Sequence, residues 1–529
     1  APLETKPSDY TLKDFGYRWF VFATPLAPGA RTQMDFTVEI EATEIGRRSP
    51  IIPNGTFVDN TRIFPVIGLS NMRMRNPDKR RKYDLPKLSK MKDREDMEAR
   101  SHNFFTYNDP RVNFETRFCT EPGQIAIAPG NLVREYEDNG RACFDYKTQQ
   151  PIANFFAFVS ANFLESTDAH KGVKLRILYH KSHPYNVEKM MDALKSGLDS
   201  YAKSYGPYQY DHVRIMEFPY RSFAQSFAGT IPFSERIGFI QDNAIKDGET
   251  IDLMTYVTLH ELGHQYFGHQ IFPAQVKGFN VLSETLSENS ASSALEDLQG
   301  WEAAKRRRDS SANHPINGYL AARTADKNAE RPLALVENSP YTWYNKGHMV
   351  FWGLRGYMGR EAVDGAMQDL IAQYGLKEGP YPTTLDLVSA LRARGDDDVQ
   401  QFITDSFDKL TFWDLKIKDE SVTANSDGGY DVSFTLQTVK KYASEETGKE
   451  EETDLAEFIE IGVFSENPSA SAGGEALVYK RIPVTEEETK VTITVSEKPS
   501  HVMADPRAWL IERNVKDNAV KLEEAASTN

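Results

Sequence analysis

The chain has 529 residues, 40% of them hydrophobic and 26% charged, with a net charge of −15. That composition belongs to a folded globular protein with room for two or three cores and excludes a disordered chain, and no stretch has the apolar length of a transmembrane helix. The acidic balance excludes a nucleic-acid-binding body, because phosphate neutralisation needs a clustered excess of Lys and Arg.

The opening, "APLETKPSDYT", has neither an initiating Met nor a charged-then-apolar leader, so it reads as the start of a processed protein or an excised domain. Residues 1–180 read as a β-rich N-terminal domain. Short alternating runs such as "YRWFVFA", "QMDFTVEIEA" and "NFFAFVSANF" are separated there by Gly, Pro and Asn. The charged stretch 71–100 interrupts them as a surface excursion. Its basic run at 76–92, and a second one, "KRRR" at 305–308, read as solvated surface. The only cysteines, Cys119 and Cys143, fall in strand-like segments around a turn. Adjacent strands would bring them to disulfide distance, and two buried free thiols fit equally well.

The period changes near 186. Val187, Met190, Met191, Leu194, Leu198 and Tyr201 recur at helical spacing, and Gly206-Pro207 closes the helix. Residues 181–415 then read as a mixed α/β core followed by helices. From 416 to 529 alternation returns in "GYDVSFTLQTVKK", "FIEIGVFSE" and "KVTITVSE", the pattern of a β-sandwich. The fold class is therefore multidomain α+β.

The chemistry concentrates at 260–288. "HELGHQYFGHQ" (260–270) contains HExxH, a pentapeptide short enough to arise by chance, so its context must decide. The run "DLMTYVTLHELGHQYFG" reads as a helix, which places His260 and His264 one turn apart on one face with Glu261 beside them. A catalytic zinc needs a third protein ligand and an open position. In the next helical segment, "NVLSETLSENSASSALEDL", Glu284 would complete a His/His/Glu set. Glu288, one turn further, would accept a hydrogen bond from the other ring nitrogen of a ligand histidine. His269 is turned off that face and reads as a structural or cleft-lining group.

Four segments carry a family resemblance: "SYGPYQYDHVRIMEF" (204–218), "SERIGFI" (234–240), "HELGHQYFGH" with "SETLSE" (260–288), and "YTWYNKGHMVFWGL" (341–354). With them the chain resembles the gluzincin metallopeptidases, and within these the membrane alanyl aminopeptidase family (peptidase family M one). The resemblance implies a thermolysin-like catalytic domain, one zinc ion per chain on His260, His264 and Glu284, and Glu261 as general base. It also implies Tyr344 as the group that steadies the tetrahedral intermediate, and Glu235 as the carboxylate that holds a peptide's free α-ammonium. A peptide is the implied substrate.

The chain departs from the family at two motifs. Nineteen residues separate His264 from Glu284, one more than is usual there, and this spacing with an acid four residues on is that of thermolysin-like endopeptidases. "GAMEN" has become "IPFSER", with Glu235 kept. The chain also ends after the β-sandwich, without the family's large helical C-terminal domain, and its N-terminal domain lacks early strands. "SETL" and "GTIPFSE" resemble a bacterial subgroup whose peptidase region follows a transporter-like permease, which implies a membrane-tethered parent and a periplasmic or extracellular location. The expectation is a zinc aminopeptidase. Its rivals are a zinc endopeptidase with an open cleft and a peptide-binding regulatory domain with little turnover.

Overall fold

A computed structural model describes residues 4–5, 14–16, 20–22, 24–41, 51–52, 55–65, 76–86, 91–106, 110–219, 224–240, 252–313, 318–326, 330–468 and 476–523. The chain divides into two compact units, residues 1–92 with 106–163, and residues 93–105 with 164–529.

Apart from a two-stranded pair, Glu4–Thr5 with Phe20–Val21, the first unit is built on two antiparallel sheets. One has the order β1–β2–β7–β4, from β1 (Ile51–Ile52), β2 (Gly55–Asp59), β4 (Ile125–Ile127) and β7 (Ala157–Ala161). The other has the order β3–β6–β5, from β3 (Glu115–Thr120), β5 (Asn131–Asp138) and β6 (Arg141–Lys147). Cys119 and Cys143 face each other directly across β3 and β6 and are joined, with Cα atoms 4.1 Å apart. Phe144 and Tyr146 alternate inward from β6, Phe158 and Val159 of β7 are buried on opposite faces of their strand, and the Tyr146 hydroxyl donates to the Ala126 carbonyl at 2.9 Å.

The second unit begins with a four-stranded sheet of β8 (Leu164–His170), β9 (Val173–Tyr179), β10 (His212–Phe218) and β11 (Thr230–Ser234). β8 and β9 form an antiparallel hairpin, whereas β9, β10 and β11 run parallel. Parallel neighbours need a crossover, and α1 (Val187–Tyr205) supplies it between β9 and β10. Its apolar face, read from the sequence, is buried, and Gly206 at φ 104° ends it. β10 is buried on both faces, and even its charged residues Arg214 and Glu217 are buried.

Next come α2 (Leu253–Gly263), α3 (Glu284–Gln299), α4 (Trp301–Asn313), α5 (Tyr319–Ala325) and α6 (Gly347–Met358). Almost every residue of α2 is buried, so this helix is the axis of the unit. Two glycines let its neighbours approach. A Cβ on Gly197 of α1 would meet Leu262 Cδ2 at 2.7 Å, and one on Gly263 would meet the Ser287 Cα at 3.3 Å.

Residues 93–105, within or next to the stretch read as a surface excursion, belong to this second unit. Ala99 is buried, Arg100 pairs with Asp386 at 2.9 Å, and the Phe104 ring stacks on Phe279 at 3.6 Å. From Thr411 two further sheets follow. One joins β12 (Thr411–Ala424), β13 (Tyr430–Ala443), β14 (Glu450–Glu452) and β17 (Glu488–Val495). The other has the order β16 (Ala476–Val484), β15 (Glu457–Phe464), β18 (His501–Ala504), β19 (Ala519–Lys521). No helix among the described residues is long and apolar enough to cross a membrane.

Candidate metal centre and active site

α2 carries His260 and Glu261 and stops at His264, earlier than the sequence pattern suggests. His264 keeps helical backbone angles, and its amide donates to the His260 carbonyl at 3.2 Å, so the two imidazoles still stand one turn apart. Their ring centroids are 4.6 Å apart. Glu284 is the first residue of α3, where the helix dipole favours a carboxylate. Its Oε2 lies 3.3 Å from His260 Nε2 and 3.1 Å from His264 Nε2.

These three atoms fit a metal ion. They lie within 4.8 Å of one another, and buried Glu284 Oε2 has no well-aligned hydrogen bond although two ring nitrogens face it. A tetrahedral ion bound at about 2.0–2.1 Å holds its ligands about 3.3 Å apart.

The opposite ring nitrogen of His264 is engaged, which orients that imidazole. His264 Nδ1 faces the Phe267 carbonyl at 3.1 Å and Ser287 Oγ at 3.0 Å. His260 Nδ1 lies 3.2 Å from Glu288 Oε1. Glu288 is the centre of a buried cluster: its Oε2 accepts from Arg307 at 2.9 Å and from the Tyr256 hydroxyl, with His348 Nδ1 at 3.5 Å. The Arg307 guanidinium also sits 4.4 Å above the Tyr256 ring.

This corrects the reading of "KRRR" as solvated surface. Arg307 and Arg308 are both turned inward, and Arg308 donates to the Leu510 carbonyl at 2.9 Å. Arg307, Tyr256 and His348 escaped the sequence reading, since a basic tetrad on a helix gives no sign of which member is buried.

With only protein groups facing one another, burial would push the His260 imidazole down, but Glu284 and Glu288 outweigh it and hold it up to about 10. Burial would raise Glu284, yet the two imidazoles hold it well below the usual carboxylate range. The strong mutual stabilisation of one acid and two imidazoles is the chemistry of a preformed cation site, whose ligands must shed their protons to bind metal.

Glu261 is 6% exposed, and burial pushes its carboxyl up. The nearby Ser226 backbone offsets a small part of that rise. The segment carrying Ser226 is fixed to α2 by Gln265, whose Nε2 donates to the Phe227 carbonyl and whose Oε1 accepts from the Gly229 amide, both at 2.9 Å. His269 Nε2 meets the Ser226 carbonyl at 3.0 Å and lies outside the metal group.

Tyr344 lies in a π-helical turn, Thr342–Lys346, with its ring 6.0 Å from that of His260 and its hydroxyl near the Glu284 carboxylate. Burial pushes the phenol up, so it remains a donor. The turn is held from both sides. Thr285 Oγ1 donates to the Trp343 carbonyl at 2.6 Å, and buried Lys346 pairs with Glu330 at 3.0 Å. Glu235 stands apart from the triad, at the end of β11 beside Glu217 and His183. Burial, and then Glu217, push its carboxyl up.

No family model and no curated protein sequence matches the chain. Solved structures do. Aminopeptidase A of Legionella pneumophila, in complex with aspartic acid, matches with a TM-score of 0.52 and 15% identity over 76% of this chain and 45% of its own. The M1 zinc metallopeptidase of Deinococcus radiodurans matches with a TM-score of 0.45 and 18% identity over 57% of this chain and 65% of its own. The first likeness establishes a shared multidomain α+β fold, and this chain spans under half of that protein's length.

Proposed function

We propose that the chain is a zinc-dependent aminopeptidase that hydrolyses N-terminal residues from peptides. The observation that carries this reading is the convergence of His260 Nε2, His264 Nε2 and Glu284 Oε2 beside a buried Glu261 and the Tyr344 hydroxyl. Bound on the three ligands, zinc would polarise the scissile carbonyl and lower the pKa of a water molecule.

The chain's own residues supply the remainder. Glu261, raised by burial, accepts the proton of the attacking water and passes it to the leaving amine. Tyr344 donates to the oxygen that becomes negative as the carbonyl carbon turns tetrahedral. The Ser226 backbone lies near Glu261, and Glu288 faces Nδ1 of His260. Glu235 takes the free α-ammonium of the substrate, a role that rests on the resemblance of "SERIGFI" to the family motif. Tyr344→Phe should therefore lower kcat by about 100-fold while leaving KM little changed; an equal rise in KM would remove the oxyanion role.

The deciding experiment is hydrolysis of one peptide in free and N-acetylated forms, with product masses followed over time and a chelated control. Stepwise loss from the free form alone, abolished by chelation, supports the aminopeptidase. Internal cuts in both forms would replace it with the endopeptidase reading, which the nineteen residues between His264 and Glu284, with Glu288 four residues on, favour. No cleavage of either form by the zinc-loaded chain would leave a peptide-binding domain.

We also propose an extracytoplasmic setting and a parent tethered to a permease-like region. The Cys119–Cys143 bond supports the first, since disulfides persist in oxidising compartments. The second rests on "SETL" and "GTIPFSE" alone.

A further inference from the structure

The three parallel strands of the second unit end on one side, and a metal-ligating side chain stands at each end. His183 follows β9 by four residues, Glu217 is the penultimate residue of β10, and Glu235 directly follows β11. In open α/β sheets, ligands bind beyond the carboxyl ends of parallel strands. His183 Nδ1 lies 2.5 Å from Glu217 Oε1, and one ligand atom from each residue falls within 4.8 Å of the other two.

Glu217 is 6% exposed. Its Oε2 accepts from the His180 amide at 2.6 Å, so the carboxylate is fixed by backbone and its second oxygen is aimed into the cluster. Glu235 is half-buried and makes no ion pair or hydrogen bond with the described residues. Among those residues no lysine or arginine pairs with either carboxylate. The His183 imidazole thus stands between two acids in a partly dry pocket, with the His180 ring 5.0 Å from its own, an arrangement that a divalent cation would balance.

We propose that His183, Glu217 and Glu235 form a second divalent-cation site, sharing no residue with the His260/His264/Glu284 group. One imidazole nitrogen with two carboxylate oxygens suits zinc or manganese and leaves coordination positions for water. The site does not depend on the hydrolytic reading. An ion here and a substrate ammonium would use the same Glu235 carboxylate, so the two occupants exclude each other.

The test counts zinc on the full chain. Protein stripped with chelator is dialysed to equilibrium against micromolar free Zn2+, and bound metal is measured by mass spectrometry. We expect two ions on the wild-type chain, one on Glu217→Gln, one on His183→Asn and one on Glu284→Gln. His183 is the more exposed partner, so H183N carries the test if E217Q does not fold, with circular dichroism as the check. A count that stays at the wild-type value in folded E217Q or H183N would overturn the second site. An unchanged count in Glu284→Gln would instead refute the first centre, and the counts on E217Q and H183N would still decide the second.

Discussion

Two buried charge clusters lie in the second unit, built from the same kinds of group for different ends. In the β-sandwich region Lys440, 2% exposed, pairs with Glu457 at 2.6 Å and Asp405 at 3.2 Å. Trp413 donates to Glu457 at 3.2 Å and Tyr442 to Asp405 at 2.5 Å, so the cluster closes on itself. Glu288 is surrounded in a similar way by Arg307, Tyr256 and His348, but its other oxygen faces Nδ1 of a ligand histidine. The closed cluster can affect only stability. The open one passes its charge through an imidazole to the metal group.

Glu261 is the extreme of the open kind, a buried carboxylate with no lysine or arginine partner among the described residues. Glu261→Gln should keep zinc and lower turnover about 10²–10⁴-fold, measured on zinc-loaded protein; undiminished turnover would end its role as base. Lys440→Met strands two buried carboxylates and should cost about 3–5 kcal/mol in denaturant unfolding, with zinc content per folded chain unchanged. A loss of zinc in folded K440M would break the contrast between the clusters.

Glu288→Gln should do the converse, weakening zinc binding about 10–100-fold in competition with a chelating dye. Unaltered affinity would make this cluster as structural as the first. A purely pH-dependent effect should come from Glu512, which is buried with its oxygens on the Leu415 amide and Asn518, both at 2.7 Å. Burial pushes it from 4.5 up to about 8. The folded state therefore keeps a proton that the unfolded chain has lost. The resulting stabilisation is complete below about pH 4.5 and is lost as pH rises through about 8, with a slope of at most about 1.4 kcal/mol per pH unit. Glu512→Gln should flatten that decline in a melting series from pH 5 to 8, and an unchanged slope would show that another group sets it.

What could be read from residue order was local. The period of 187–205 predicts α1, and the alternation after 430 predicts the strands of the sandwich, because burial repeats with backbone geometry. HExxH carries two ligands at one-turn spacing on its own. The end of α2 at His264 was not legible, because apolar and polar residues continue past it without an obvious stop. The exposure expected for "KRRR" failed for a related reason, since a guanidinium is buried only where a carboxylate waits for it.

Residue order thus specifies which side chains are available for chemistry and, within each element, which of them share a face. It took the packing of those elements to bring Glu284 Oε2 to both imidazoles, Arg307 to Glu288, and His183, Glu217 and Glu235 to the ends of adjacent strands. The reason is distance along the chain. Local periodicity fixes neighbours within a turn or two, whereas pairs tens of residues apart are set by how elements pack, and close approaches at Gly197 and Gly263 bring those elements together.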